Sequence, residues 1–165
     1  MIVIGGSPGS GKSTLARMLY ERRGCPWIDY GHLRQFHLLP DWSNQSKEEE
    51  QLTFENLTFI VRNYWRYGYP EVLLDDLRDH RIVQLPSCFP EARVDTITLF
   101  LSDPDALRMR IAMRNDGWKD EELAIEWNRA VQLRPPVRGE VKLDVTSLTP
   151  EEVLLRANEV LSWRS

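Results

Sequence analysis

Gly6-Ser7-Pro8-Gly9-Ser10-Gly11-Lys12-Ser13 satisfies the pattern G-x-x-x-x-G-K-[ST] at every fixed position. The residue types suit the capture of phosphate. Gly6, Gly9 and Gly11 let the backbone turn sharply and bring its N–H groups close to phosphate oxygens with no Cβ in between. A helix starting near Lys12 aims its N-terminal N–H groups and the positive end of its dipole at the same oxygens. Lys12 supplies a mobile cation for β- and γ-phosphates, and the Ser13 hydroxyl can ligate Mg²⁺. Ser10 and Thr14 complete the candidate cradle.

The residues around this run give it the right setting. Met1-Ile2-Val3-Ile4 is a short apolar stretch rich in β-branched residues and reads as a buried parallel strand. Leu15, Ala16, Met18 and Leu19 give helical spacing up to Arg23, and Gly24 ends that helix. Further along, strands are predicted at 26–29, 71–75, 95–101 and 142–145. Helices are predicted at 30–37, 47–66, 103–115, 120–133 and 150–161, with a loop at 40–46 and a short helix plus proline-rich turn at 78–90. Ser46 with Glu49 forms a capping box for the 47–66 helix, whose apolar face is Leu52, Leu57, Ile60, Val61 and Tyr64. Asp103-Pro104 is a helix start, Asn115-Asp116-Gly117 a break, and Pro135-Pro136 a stop. Strands alternating with helices predict a three-layer α/β fold, a five-stranded parallel sheet covered by helices on both faces.

The chain has 165 residues, 42% of them hydrophobic and 28% charged, which suits one domain with a sizeable core over residues 1–165. The first strand starts at Met1, leaving no room for a leader, and no apolar run approaches the ~20 residues that span a bilayer. Cys25 and Cys88 stand apart and read as reduced thiols in a cytoplasmic setting. His32, His37 and His80 have no metal-type spacing. A net charge of −4 and a pI near 5.4 argue against nucleic acid as a partner.

Further chemistry lies outside the glycine loop. Val72-Leu73-Leu74-Asp75 is an apolar strand ending in a carboxylate. Strand C-terminal ends line the ligand crevice of a parallel sheet, so Asp75 is a candidate to hold Mg²⁺ through water, with Asp76 able to share that work. Arg110 and Arg114 are four apart and share one helical face, an arrangement that an anion would relieve. Arg129 follows on the next helix, after a candidate lid at about 114–130. Asp29 ends the second strand at the same crevice. It either caps the following helix or serves as a base toward a hydroxyl. Trp42, Tyr64, Trp65 and Tyr67 either stack on an aromatic ligand or pack in the core.

Taken together, these residues resemble P-loop small-molecule kinases of the nucleoside-monophosphate-kinase type, over the whole chain. The glycine loop matches fully, and Leu73-Leu74-Asp75 resembles the Walker B strand. Tyr30-Gly31-His32-Leu33-Arg34 looks like the family's T-G-x-x-x-R segment, which makes Arg34 a candidate for an acceptor phosphate. Leu74-Asp75-Asp76-Leu77-Arg78 is similar to L-D-G-F-P-R, shorter by a residue, and points to Arg78. Arg110-Ile111-Ala112-Met113-Arg114 matches R-I-x-x-R at the lid edge, and Arg129 falls where a later lid arginine is expected. Residues 143–153 look like the closing strand and helix, whose connection packs beside adenine. The resemblance implies a P-loop NTPase fold with a short lid, an acceptor-side helical segment at about 30–67, and use of ATP and Mg²⁺. It implies transfer of the γ-phosphoryl group to a small molecule by a monomer or homodimer. Lys12, Asp29, Arg110, Arg114 and Arg129 are then the candidate catalytic residues, and Asp29, Arg34 and Arg78 the candidate acceptor contacts. The acceptor is open between a nucleoside monophosphate and a hydroxyl compound, as in the antibiotic, shikimate and gluconate kinases that share this core. The alternative is a nucleotide-binding ATPase or switch acting on a protein partner. The N-K-x-D and L-S-G-G-Q runs of such proteins are absent.

Overall fold

The computed structural model describes residues 1–35, 46–114 and 118–162. Five strands form one parallel sheet: β1 (Ile2–Gly6), β2 (Trp27–Asp29), β3 (Leu73–Asp75), β4 (Asp95–Phe100) and β5 (Glu140–Asp144). Their order is β2-β3-β1-β4-β5, the parallel sheet expected from the sequence. All five residues of β1 are buried, as a central strand covered on both faces requires. Its side chains alternate between two apolar layers. Ile2 and Ile4 face α1 (Lys12–Arg23), α5 (Pro104–Ala112) and α7 (Pro150–Ser162). Val3 faces the opposite layer, with Phe54, Leu57 and Val61 of α3 (Lys47–Arg66) and Ile82 and Leu85 of α4 (Asp79–Cys88).

The remaining helices are α2 (Tyr30–Gln35) and α6 (Glu121–Leu133). Their caps follow the sequence. Ser46 Oγ accepts from Glu49 N at 3.0 Å, Asp103 from Asp105 N at 2.9 Å, and Asp120 from Leu123 N at 3.0 Å. At the start of α7, Thr149 N donates to Glu152 Oε2 at 2.8 Å while Glu152 N donates to Thr149 Oγ1 at 3.3 Å, a reciprocal capping box. Gly24, at φ 63°, closes α1.

Several boundaries differ from the sequence reading. β3 begins at Leu73, although Val72 O already accepts from Ile2 N at 2.9 Å. β5 begins two residues earlier than expected, because the Glu140 carboxylate is gripped at the strand entrance by Arg134 and the Val137 N–H. Pro86 lies inside α4, and not in a turn. The face of α3 uses Thr53 and Phe54 where Leu52 was expected; Leu52 is exposed. The 40–45 part of the loop, Trp42 and the Asn115-Asp116-Gly117 break lie outside the described residues, as does the end of the 30–37 helix. No helix among the described residues is long and apolar enough to cross a membrane.

Candidate active site

The glycine loop leaves β1 at the C-terminal end of the sheet, at the point where the chain's next strands divide between the two sides of β1. This is the crevice position of open α/β sheets. Glycine is needed here for close approach. A Cβ on Gly6 would come within 2.3 Å of Leu99 O, and one on Gly9 within 2.8 Å of Ile111 Cδ1. The Ser7 carbonyl is the loop's internal anchor. It accepts from Ser10 N at 3.3 Å, Ser10 Oγ at 2.8 Å and Lys12 Nζ at 3.1 Å. Gly11, at φ 95°, precedes α1 without any side-chain cap, and the first turn of α1 holds no acidic residue. The N–H groups and dipole of α1 therefore meet no competing carboxylate from its own first turn.

A cavity of about 440 Å³ opens over this loop. Gly9, Ser10, Gly11, Lys12, Ser13 and Thr14 line one side, and Arg110, Arg114, Leu148 and Pro150 line others. Gly6 is not among the lining residues; it serves the packing of β1 against β4. Arg110 is seated by its guanidinium, Nη2 donating to Val145 O at 2.8 Å and Thr146 O at 3.3 Å, on the β5–α7 connection. Arg114 is exposed. Arg129 is also exposed, on α6, and does not line the cavity.

Three carboxylates gather at the strand ends. Asp29 Oδ1 accepts from His32 N at 2.9 Å, the helix-capping arrangement, while Oδ2 lies 3.2 Å from His32 Nδ1. Asp75 is wholly buried. Trp27 Nε1 donates to its Oδ1 at 2.9 Å, and Oδ2 has no hydrogen-bond partner. Burial, and then the nearby Asp29 charge, pushes the Asp75 carboxyl up to about 7. Asp75 does not line the cavity. Asp76, the next residue, does face Lys12, with Oδ1 3.6 Å from Nζ. Mg²⁺ keeps several waters and takes few protein ligands beside phosphate oxygens. The Ser13 hydroxyl in the cavity and the Asp76 carboxylate beside Lys12 fit a nucleotide-borne Mg²⁺, whereas Asp75, expected from the sequence to hold it, is buried away from the cavity.

A second cavity, about 700 Å³, is lined by Arg34, Arg78, Glu50, His80 and Arg81 among others, which brings together the two arginines expected to contact the acceptor. Arg81 is buried and clamped to both Glu50 oxygens, with Nη1 donating to Gln51 and Gln84 and its guanidinium 4.4 Å from the Phe54 ring centre. The Tyr30 hydroxyl joins at Glu50 Oε1, 3.0 Å. Burial, then the adjacent Arg78 cation, pulls the Arg34 guanidinium below its ordinary pKa. Two crowded guanidinium groups on a concave wall favour an anion. In the same segment, Tyr64 packs edge-on against Tyr69 and Trp65 against Phe89, so both serve the fold. Tyr67 is exposed.

Sequence reasoning missed Asn128. It is buried on α6, accepts from Ser7 Oγ at 3.2 Å and Leu101 N at 3.0 Å, and donates to Leu101 O at 2.7 Å. It ties α6 to the glycine loop. Trp27, the donor to Asp75, was missed too. Both contacts join residues far apart in sequence, and no local pattern marks them.

No protein-family profile matches the chain. A Pyrococcus furiosus protein provisionally named an adenylate kinase is 27% identical, over 98% of this chain and 82% of its own length. Among solved structures, a sugar kinase from Janibacter is 17% identical, covers 98% of this chain and 93% of its own, and superposes with a TM-score of 0.71. Thymidylate kinase from Candida albicans is 18% identical, covers 99% and 91%, and gives 0.66. The fold is that of the P-loop kinases, and the resemblance to nucleoside-monophosphate-kinase-like proteins drawn from the sequence is borne out.

Proposed function

We propose that this chain, a P-loop kinase, moves the γ-phosphoryl group of ATP to a small molecule that carries its own anionic group. One observation carries the reading: Gly9 to Thr14, Arg110 and Arg114 line a single cavity at the C-terminal end of the central strand. The backbone N–H groups of the loop and Lys12 hold the donor phosphates. Ser13 holds Mg²⁺, which when bound neutralises charge on those oxygens. Arg110, fixed on the Val145 and Thr146 carbonyls, forms a wall on the base side. Arg114, exposed and lining the cavity, is the candidate to meet the migrating group, whereas Arg129, exposed on α6, does not line it. Phosphoryl transfer needs positioning and charge neutralisation above all, and these cations supply both. Arg34 and Arg78 hold the acceptor's anion. Asp75, buried behind Asp76, supports the site and does not touch the phosphates. The chain works as one domain in a cytoplasmic setting where ATP is plentiful.

The test combines a screen with a variant. ATP consumption is measured with nucleoside monophosphates, sugar acids, shikimate and aminoglycosides in turn. Stimulation by one acceptor class is expected, and Lys12→Ala is expected to lower that turnover by 100-fold or more. Wild-type turnover in Lys12→Ala, or hydrolysis indifferent to every acceptor, would refute the assignment.

A further inference from the structure

The cavity over the glycine loop changes character away from the loop. Beyond Lys12 and the loop hydroxyls, its lining side chains are the guanidinium groups of Arg110 and Arg114 and the apolar Leu99, Leu148, Pro150 and Val153. Apolar surface with a few placed polar groups is what the flat rings of a base require. Among the described residues, none of these side chains can accept a hydrogen bond. The β5–α7 connection has carbonyls to offer, but Arg110 occupies them. Its Nη2 donates to Val145 O at 2.8 Å and to Thr146 O at 3.3 Å, and Val145 O also accepts from Leu148 N at 3.4 Å. Neither Val145 nor Thr146 lines the cavity. The connection is braced in this setting. Asp144 Oδ1 accepts from Thr146 N at 3.0 Å, Thr146 Oγ1 at 2.5 Å and Ser102 N at 3.3 Å. Ser102 N also donates to Thr146 Oγ1 at 2.8 Å, and Val145 N donates to Phe100 O at 2.9 Å.

The base-side wall therefore presents N–H donors and no side-chain acceptor. With Nη2 held by the two carbonyls, Nε and Nη1 of Arg110 make no hydrogen bond to the described residues. Purines differ in what they bring to such a wall. Guanine and hypoxanthine carry two adjacent acceptors, O6 and N7, whereas adenine carries N7 beside a 6-amino group, which is a donor. A guanidinium edge matches the pair of acceptors, and an amine set against it is left without a partner. We propose that Arg110 selects the base, and that this cavity takes 6-oxopurine nucleotides, those of guanine and hypoxanthine, at least as tightly as adenine nucleotides. The inference rests on the kinase reading above and widens its donor from ATP to GTP. Arg110 acts in two ways: it supplies donors, and it covers the Val145 and Thr146 carbonyls that an adenine amine would use. Asp144, Thr146 and Ser102 are positioning residues, since they hold those carbonyls against it.

Calorimetry on the full chain tests this, with Mg²⁺ and ADP, GDP or IDP as probes that no transfer consumes. GDP and IDP are expected to bind within about threefold of each other, because both keep O6 and N7, and neither more weakly than ADP. Arg110→Met removes the donors and uncovers the two carbonyls. It is expected to shift the ratio of the GDP and ADP dissociation constants toward ADP by about tenfold or more. A ratio is insensitive to any general loss of phosphate affinity, which a merely structural role would produce. If that variant does not fold, the wild-type ranking of the three probes still decides. Tighter binding of ADP than of GDP by the wild type would overturn the proposal. So would IDP binding far more weakly than GDP, which would place the contact on the 2-amino group, or an unchanged ratio in Arg110→Met. No binding of any probe sinks the kinase reading as well; binding of ADP with GDP and IDP refused sinks this inference alone.

Discussion

Asp75 is an acid kept in a place that resists its charge. It is sealed by the sheet, faces Asp29 and Asp76 nearby, and keeps one oxygen without a hydrogen-bond partner. With its pKa raised to about 7, the folded state holds a proton that the unfolded chain has already released, over the window from about pH 4 to pH 7. The unfolded state binds fewer protons there, so stability falls as pH rises through that window and levels off above it. Asp75→Asn stays neutral and can still accept from Trp27 Nε1. It is expected to be more stable than wild type at pH 8, by roughly 3 kcal/mol. Near pH 4 the difference should vanish. Thermal melts of both proteins across that range check the sign; a wild type whose stability rises from pH 4 to 7, relative to the variant, would contradict it. The same residue shows where reading a sequence stops. A strand-end aspartate signals the crevice, but only packing decides that Asp75 turns inward and Asp76 outward.

At the level of elements, α6 deserves its place in the site through Asn128 and not through Arg129. Removing the Asn128 amide leaves the Leu101 N–H and the Ser7 hydroxyl without this partner in a buried setting. Asn128→Ala is expected to cost about 2–3 kcal/mol of stability by denaturant titration. It is also expected to raise the KM for ATP, because the glycine loop loses its tie to α6. An unchanged KM with lowered stability would confine Asn128 to folding. The helices and strands themselves were legible because local chemistry declares them: Ser46, Asp103, Asp120 and Thr149 each accept at a helix start, and Gly24 ends α1. Boundaries slipped where a distant partner intervened, as when Thr98 on β4 donates to the Glu140 carboxylate and joins Arg134 and Val137 in holding it at the entrance of β5. The glycine loop was legible residue by residue, since a run of eight positions marks it, and Gly9 to Ser13 of that run line the cavity. The Tyr30–Arg34 segment was less so: it has two residues between glycine and arginine where the family segment has three.

For the molecule as a whole, the two apolar layers meet at β1, and the donor cavity lies at the tip of that same strand. Ligand binding there should be felt as global stability. ATP·Mg²⁺ at about 100 times its Kd should add about 2.7 kcal/mol. For a chain of this size that raises Tm by about 5–10 °C. Scanning calorimetry checks it, and Lys12→Ala should lose most of the shift; an equal shift in both proteins would place the nucleotide elsewhere. The order of strands has a further consequence for how the chain is made. Of the five strands, the one that ends in the centre of the sheet is made first, yet its hydrogen-bonding neighbours are residues 73–75 and 95–99. At translation speeds of about 5–20 residues per second, this greasy strand waits roughly 5–20 s for partners. During that interval the nascent protein is at its stickiest, and chaperone occupancy on stalled nascent chains should peak before residue 95 emerges and drop after residue 100 is clear.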